Sequence, residues 1–323
     1  MSTTTLPMKR RGLDYKKFLA NNGALVGLVV LCIALFIATP DFLTAQNLLN
    51  IGIQVSTVAV LAFGMTFVIV AGGIDLSVGA VAALSAMSSG WMFASAGLPG
   101  WIALLGGLFV GALAGTINGL ANAYGKLPSF IATLAMLSVA RGLTLVISDG
   151  RPISTPAEVS FLGGNLGPVP MPIIILVLAA LAASFLLNRT VIGRSMYAVG
   201  GNAEAARLSG LPVKRILVIV FALAGLFAAL AGLLLAGRLD SAQPQAAAGY
   251  ELDAIAAVVI GGASLAGGLG KISGTFVGAL VLVVIRNGLN LLNVTSFWQQ
   301  VVIGLVIALA VGVDVLRRKT RSS

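Results

Sequence analysis

Long apolar runs, with few charged residues inside them, follow one another along almost the whole chain. Each run is about 16–22 residues long, and a helix of about 20 residues crosses the roughly 30 Å hydrocarbon core of a membrane. The runs are continuous, whereas membrane β-strands alternate apolar and polar residues. We therefore predict an all-α, polytopic membrane protein with about ten transmembrane helices. The predicted segments are 22–39, 51–71, 76–96, 101–122, 128–147, 171–187, 216–237, 252–268, 272–292 and 298–316.

Composition excludes a water-soluble globule. Charged residues make up 9% of the chain, whereas about a quarter of a soluble domain is charged. Segments 76–96 and 252–268 are the weakest predictions, because both are rich in Gly, Ser and Ala. Either segment spans the membrane fully, or it is broken or re-entrant and buried in protein.

Basic residues indicate the orientation, since short cytoplasmic loops carry an excess of Lys and Arg. With the N-terminus inside, 16 of the 20 Lys and Arg fall on the cytoplasmic side. The net charge of +10 is therefore interpreted as a topology signal, and we expect no nucleic-acid partner. The predicted parts are a basic cytoplasmic N-terminal tail (1–21), one transmembrane domain (22–316) with a cytoplasmic loop at 188–215, and a basic cytoplasmic C-terminal tail (317–323).

An internal repeat divides the transmembrane domain. Three short matches recur at offsets of 167, 167 and 165 residues: Phe109–Leu113 with Phe276–Leu280, Ser129-Phe130 with Ser296-Phe297, and Ala71–Asp75 with Ala236–Asp240. Their spacing predicts two inverted-topology repeats, at about 51–147 and 216–316. Inverted repeats are typical of transporters, with the solute path at the repeat interface.

Polar residues inside the apolar segments are candidates for that path. A charge in the hydrocarbon costs about 2.5–3.5 kcal/mol on insertion scales, so such a residue should face protein or water. Amide and guanidinium groups suit hydrogen bonds to a hydroxylated, uncharged solute. The alternative is structural, namely bonding between helices or, for Asp75, capping of the next helix. The path candidates are Asp75, Asn118, Asn122, Arg141, Arg286, Asn287 and Asn290. By contrast, Gly107, Gly111, Gly115 and Gly119 share one helix face and predict close packing of another helix.

No residue pattern points to catalysis or to a metal site. The chain has no His and a single Cys, Cys32. Gly270-Lys271 lacks the glycine five positions earlier and the Ser or Thr that a phosphate-binding loop requires, since residue 265 is Leu and residue 272 is Ile. We expect no enzyme activity and no cofactor in this chain, so any ATP and Mg would be bound by another subunit.

The 188–215 loop carries a short helix signal. Asn202 is a good N-cap, Glu204 stands in the first turn, and Gly210 and Pro212 end the helix. About two turns are unstable alone in water, so flanking segments or a partner must brace them.

Three stretches together resemble the permease subunits of ribose-type sugar ABC importers, the branch that includes ribose, xylose, arabinose and galactoside permeases. Glu204-Ala205-Ala206 followed by Gly210 resembles the E-A-A-x-x-x-G loop of such permeases. Gly72–Gly79 and Gly249–Gly262 are similar to further stretches of the same branch. The resemblance covers about Gly23 to Val315 and does not separate one sugar from another.

The resemblance implies a multi-pass protein of the bacterial inner membrane, with both termini cytoplasmic, that imports a monosaccharide. Its implied partners are a cytoplasmic ATPase, an extracytoplasmic sugar-binding protein, a second permease copy or paralogue, and membrane lipid. The implied ATPase-docking residues are Gly193, Asn202, Glu204, Ala205, Ala206, Arg207 and Gly210, and the candidates for docking the binding protein are Asp149, Glu158, Asp240, Glu251 and Asp253. The alternative functions are an ion-gradient-driven secondary carrier and an intramembrane enzyme.

Overall fold

The computed structural model describes residues 23–322, without the side chains of 310, 311 and 313–322. The predicted N-terminal tail and the basic side chains of residues 317–321 lie outside the described part. The helices are α1 (Gly23–Ala38), α2 (Ala45–Val70), α3 (Val78–Ala94), α4 (Gly100–Ala123), α5 (Ser129–Ser148), α6 (Ala157–Gly163), α7 (Met171–Arg189), α8 (Val191–Gly201), α9 (Ala203–Leu208), α10 (Val213–Leu239), α11 (Tyr250–Ile260), α12 (Ile272–Leu291) and α13 (Ser296–Ser322). Four two-residue strands form two antiparallel pairs, β1 (Ile153–Ser154) with β4 (Ser241–Ala242) and β2 (Asn165–Leu166) with β3 (Val169–Pro170).

Each of the ten predicted segments contains a helix. Among the described residues, six helices are long and apolar enough to cross a membrane, namely α2, α4, α5, α7, α10 and α12. α1, α3 and residues 296–309 of α13 are shorter apolar helices. α11 has 11 residues, or about 16 Å at 1.5 Å per residue, which is about half the hydrocarbon core. Segment 252–268 is therefore broken, with α11 as its helical half, whereas segment 76–96 forms one continuous 17-residue helix.

The loops gather at two ends of the bundle. At one end Gly72 lies against Gly200 of the 188–215 loop, and the ammonium of Lys214 lies 5.1 Å from the ring centroid of Tyr124. At the other end β1 pairs with β4, and Gly163 of α6 contacts the end of α10. The first end carries Lys126, Arg189, Arg194, Arg207, Lys214, Arg215 and Lys271, whereas the second carries Arg151 and Arg238. We call them the basic end and the opposite end.

The two repeats are visible in the packing. Helices α2–α5 and α10–α13 make equivalent contacts, since α4 packs on α10 as α12 packs on α2, and α3 packs on α5 as α11 packs on α13. Lys126 and Asn293, which are 167 residues apart, both adopt a left-handed conformation just before α5 and α13. α2 runs towards the basic end and α10 runs away from it, so the repeats are inverted as predicted.

α2 and α10 form the centre of the bundle. Phe67 and Phe227 meet edge to face, with ring centroids 5.6 Å apart. The predicted glycine face of α4 packs against α10, where Gly115 lies on the carbonyl of Phe221 and Gly119 on Val218. A side chain at Gly115 would overlap that carbonyl, which explains why small residues line this contact.

Candidate functional site

The 188–215 loop folds into α8 and α9, each with its own cap. The hydroxyl of Thr190 accepts a hydrogen bond from the amide of Gly193 (3.1 Å), and the side chain of Asn202 accepts one from the amide of Ala205 (2.9 Å). The predicted N-cap is therefore confirmed. α9 ends at Leu208, and Gly210, two residues later, adopts a left-handed φ of 85° that suits glycine.

The exposed face of α9 carries a charged pair. Arg207 donates to Glu204 through two nitrogens, at 2.6 and 3.0 Å, and the side chains are 63% and 65% exposed, respectively. The hydrogen bond from Arg207 lowers the pKa of Glu204, so both groups are charged at neutral pH. Ala206 is 5% exposed and packs inward, whereas Leu208 is 73% exposed. An exposed ion pair adds little stability, and it leaves charge and apolar surface available to a partner.

Beneath this face, four glycines form a backbone contact that we call the glycine junction (Gly72, Gly200, Gly267 and Gly268). The amide of Gly268 donates to the carbonyl of Val70, the last residue of α2, over 2.9 Å. Gly200, in α8, packs against that same carbonyl, so a side chain at position 200 would overlap it. Gly267 and Gly268 adopt φ values of 88° and 72°. At the glycine junction, the 188–215 loop, α2 and residues 261–271 therefore meet through backbone atoms.

Residues 261–271 form a hairpin that continues from α11. The amide of Ser264 donates to the carbonyl of Leu269 over 3.0 Å and closes the hairpin. The hydroxyl of Tyr197, in α8, donates to the carbonyl of Gly270 over 2.7 Å. Neither Tyr197 nor this role of the hairpin was predicted from the sequence, although the run Gly261-Gly262, Gly267-Gly268 and Gly270 was a signal of close backbone approach.

A polar cavity of about 250 Å³ lies between the repeats, towards the opposite end. α2, α10, α11 and α12 all contribute to its wall. The lining residues are Gln54, Thr57, Val58, Arg238, Tyr250, Val283, Arg286 and Asn290. Arg286 and Asn290, two of the predicted path candidates, are thus together on one cavity wall.

Arg286 is held in place by α11. It donates to the carboxylate of Asp253 over 3.0 Å, and its guanidinium lies 6.0 Å from the ring centroid of Tyr250. Asp253 is 4% exposed, so its charge is buried and balanced by Arg286. Asp253 was predicted as a candidate for docking the binding protein, but it is buried and is not part of the surface.

The other path candidates make contacts within the bundle. Asn287 and Asn47 exchange two hydrogen bonds, of 2.7 and 3.1 Å, in a buried pair. Arg141 donates to the carbonyls of Pro244 and Ala246, at 3.1 and 2.8 Å, and so fixes the turn before α11.

The remaining candidates lie near the basic end. Asp75 is 1% exposed and accepts hydrogen bonds from the amide and the hydroxyl of Ser77, at 2.8 and 2.6 Å. Asn118 donates to that hydroxyl over 2.9 Å. Asp75 therefore holds the turn before α3 through Ser77, but it does not cap the helix as the structural alternative proposed, since Ser77 is the N-cap residue and no side chain makes a capping bond there. Asn122 donates to the carbonyl of Leu127 over 2.9 Å and closes the turn between α4 and α5.

The acidic docking candidates separate by exposure. Asp149, Glu158 and Asp240 are exposed at the opposite end, where Ser160 donates a hydrogen bond to Asp240. Glu251 is only partly exposed. Across the described residues, no group of three or more Cys, Asp or Glu side chains is arranged to hold a metal ion.

Comparison with known proteins gives a consistent set of relatives. Residues 47–311 match the family described as branched-chain amino acid transport system / permease component. The chain is 47% identical to the ribose import permease of Bacillus subtilis, over 97% of this chain and 98% of that protein. It is 44% identical to the ribose import permease of Escherichia coli K12, over 96% and 98% of the two chains, and 39% identical to that strain's L-arabinose transport system permease, over 99% and 98%. No solved structure matches the chain.

Proposed function

Because the chain belongs to the branched-chain amino acid transport system / permease component family, we propose that it is the membrane-spanning subunit of an ATP-driven monosaccharide importer. The observation that carries the proposal is its likeness to ribose and arabinose permeases along nearly its full length. The inverted repeats and the polar cavity between them support a transport role.

A separate ATPase docks on α9 in this proposal. Glu204 and Arg207 offer two exposed charges, and Leu208 offers an exposed apolar side chain beside them. The capping bond of Asn202 and the left-handed turn at Gly210 fix the ends of the helix. Such a short, capped helix with a charged outer face is a suitable docking surface.

A movement of α9 can be transmitted directly to the transmembrane helices. α8 contacts α2 through Gly200 and contacts the 261–271 hairpin through Tyr197. The hairpin continues from α11, whose Asp253 holds Arg286 at the cavity. A displacement of the loop therefore reaches a helix of each repeat, which is what opening a path between repeats requires.

Loop charges support the proposed sidedness. The basic end faces the cytoplasm of a bacterial cell, and both termini lie on that side. The binding protein then approaches the opposite end, where Asp149, Glu158 and Asp240 are exposed. A second permease copy or a paralogue completes the translocating unit.

The test of this function is ATP hydrolysis by the complete importer, reconstituted in lipid vesicles with its ATPase and binding protein. We expect hydrolysis to rise when the binding protein carries D-ribose or L-arabinose, and only when this chain is present. Hydrolysis that is indifferent to this chain would contradict the proposal.

A further inference from the structure

α4 has two opposite faces. Its glycine face packs on α10, whereas the other face carries large side chains that are 46% to 65% exposed. We call this second face the α4 stripe (Trp101, Leu105, Phe109, Leu113, Ile117, Leu120 and Tyr124). Trp101 and Tyr124 are 23 positions apart, or about 34 Å at 1.5 Å per residue, which is close to the roughly 30 Å hydrocarbon core. Since Trp and Tyr are enriched at both membrane surfaces, Tyr124 is placed at the level of the lipid headgroups at the basic end.

Three exposed cations lie next to Tyr124, either in space or along the chain. Lys214, in the first turn of α10, places its ammonium 5.1 Å from the ring centroid of Tyr124. Lys126 follows Tyr124 by two residues, and Arg215 follows Lys214. The two ion pairs found among the described residues include none of these cations. At headgroup level, this part of the surface therefore carries three positive charges without an acidic partner.

The fold itself does not require this cation and aromatic ring. Lys126 has a φ of 57°, a left-handed conformation that suits Gly or Asn better than Lys. In the second repeat, Asn293 stands at the equivalent position with a φ of 56°, and Leu291 stands where the first repeat has Tyr124. The same turn thus forms at the opposite end of the bundle without either side chain. A lysine held in a disfavoured backbone conformation points to a role for its ammonium group.

The chemistry of this surface fits one class of ligand. A phospholipid headgroup offers a phosphate to the cations, and its acyl chains match the apolar side chains of the α4 stripe. A net negative headgroup is favoured over a zwitterionic one, because the ammonium or choline group of a zwitterion is repelled by three nearby cations. A soluble partner protein cannot cover the stripe, since the stripe crosses the hydrocarbon core.

We propose that Tyr124, Lys126, Lys214 and Arg215 form a binding site for an anionic phospholipid of the leaflet at the basic end. The headgroup phosphate lies at the two lysines, and the acyl chains lie along the α4 stripe. Lys126 belongs to the first repeat and Lys214 to the second, so one bound lipid bridges the two repeats. This site is separate from the polar cavity and from α9, and it does not depend on which solute is transported.

The first test is native mass spectrometry of the full chain in mild detergent, with equal amounts of phosphatidylglycerol and phosphatidylcholine of matched acyl chains. We expect the wild type to retain phosphatidylglycerol preferentially. In Lys126→Asn/Lys214→Gln that preference should fall about fivefold or more, since each lysine near an anionic headgroup contributes roughly a factor of five. Arg189→Gln/Arg194→Gln, which removes two exposed cations elsewhere at the basic end, should bind like the wild type. An equal loss in both variants would overturn the proposal, because it would show general attraction to a positive surface.

A second measurement follows thermal unfolding of the same proteins. Phosphatidylglycerol should raise the melting temperature of the wild type and of Lys126→Arg/Lys214→Arg, which keeps both charges, and leave that of Lys126→Asn/Lys214→Gln unchanged. All three should melt alike with phosphatidylcholine alone, because both lysines are exposed.

Two further outcomes would contradict the lipid site. Inorganic phosphate lacks acyl chains, so millimolar phosphate should not displace the bound phosphatidylglycerol, and displacement would indicate a site for a free anion. A two-chain species that requires the lysines and excludes the lipid would assign the α4 stripe to a second copy of the chain.

Discussion

The hydroxyl of Tyr197 donates a 2.7 Å hydrogen bond to the carbonyl of Gly270, 73 residues further along the chain. This bond joins the loop that carries α9 to the hairpin that follows α11. The same α11 begins at the cavity, where Tyr250 is part of the lining and Asp253 holds Arg286. Residues 250–271 therefore connect the loop that carries the proposed ATPase-docking helix with the polar cavity.

Tyr197→Phe tests this connection, because it removes the hydroxyl and keeps the ring. Loss of this hydrogen bond weakens the contact between loop and hairpin by about 0.5–1.5 kcal/mol, and we expect the number of sugars moved per ATP to fall. Tyr124→Phe is the matched control, since the Tyr124 ring remains under Lys214. Equal transport per ATP in both variants would show that the bond carries no coupling.

Two adjacent glycines offer a second comparison. A side chain at Gly200 would overlap the carbonyl of Val70, whereas one at Gly201 would meet open space. Overpacking costs about 1–3 kcal/mol, so Gly200→Ala should lower the melting temperature of the purified protein and impair uptake. Gly201→Ala should leave both unchanged. Similar melting curves for the two variants would contradict the close approach at the glycine junction.

Charge reversal separates docking from helix stability. Glu204→Arg/Arg207→Glu keeps an ion pair within α9 but exchanges the positions of the two charges. The double variant should still insert and fold, because both side chains are exposed. If a partner recognises those charges, sugar-stimulated ATP hydrolysis should fall. Hydrolysis at the wild-type level would mean that α9 contributes only its own structure.

Variants of the Asp253–Arg286 pair can show whether the pair has a structural role or a role in transport. Arg286→Leu leaves the buried Asp253 carboxylate unpaired, which should cost about 3 kcal/mol. Asp253→Leu/Arg286→Leu removes both charges and should recover the stability, as measured by thermal unfolding in detergent. Uptake should stay low in the double variant, because the cavity still lacks the guanidinium. Full recovery of uptake would assign the pair a structural role alone.

The sequence predicted those features that depend on local pattern. Apolar run length located the helices, and the 167-residue offset predicted the repeat that Lys126 and Asn293 display. Glycine spacing in α4 predicted its contact with α10, and Asn202 was recognisable as a cap. Each of these signals is carried by residues close together or by a repeated motif.

Contacts between residues far apart in the chain could not be predicted from the sequence. Asn47 and Asn287 pair across 240 residues, so Asn287 could not be distinguished from Asn290 by pattern. Arg141 donates to two backbone carbonyls, and because every residue has a carbonyl, the residue types could not predict this contact. Asp253 is buried because Arg286, on a neighbouring helix, balances its charge. The sequence showed that residue 253 is acidic, but not that it has a partner inside the bundle.

In the proposed function, a separate ATPase drives sugar through this chain. Uptake of labelled D-ribose or L-arabinose can be measured in lipid vesicles that contain this chain, its ATPase and its binding protein. We expect accumulation when ATP reaches the ATPase, and none when a proton or sodium gradient is the only energy source. Gradient-driven accumulation without the ATPase would contradict it and establish a secondary carrier.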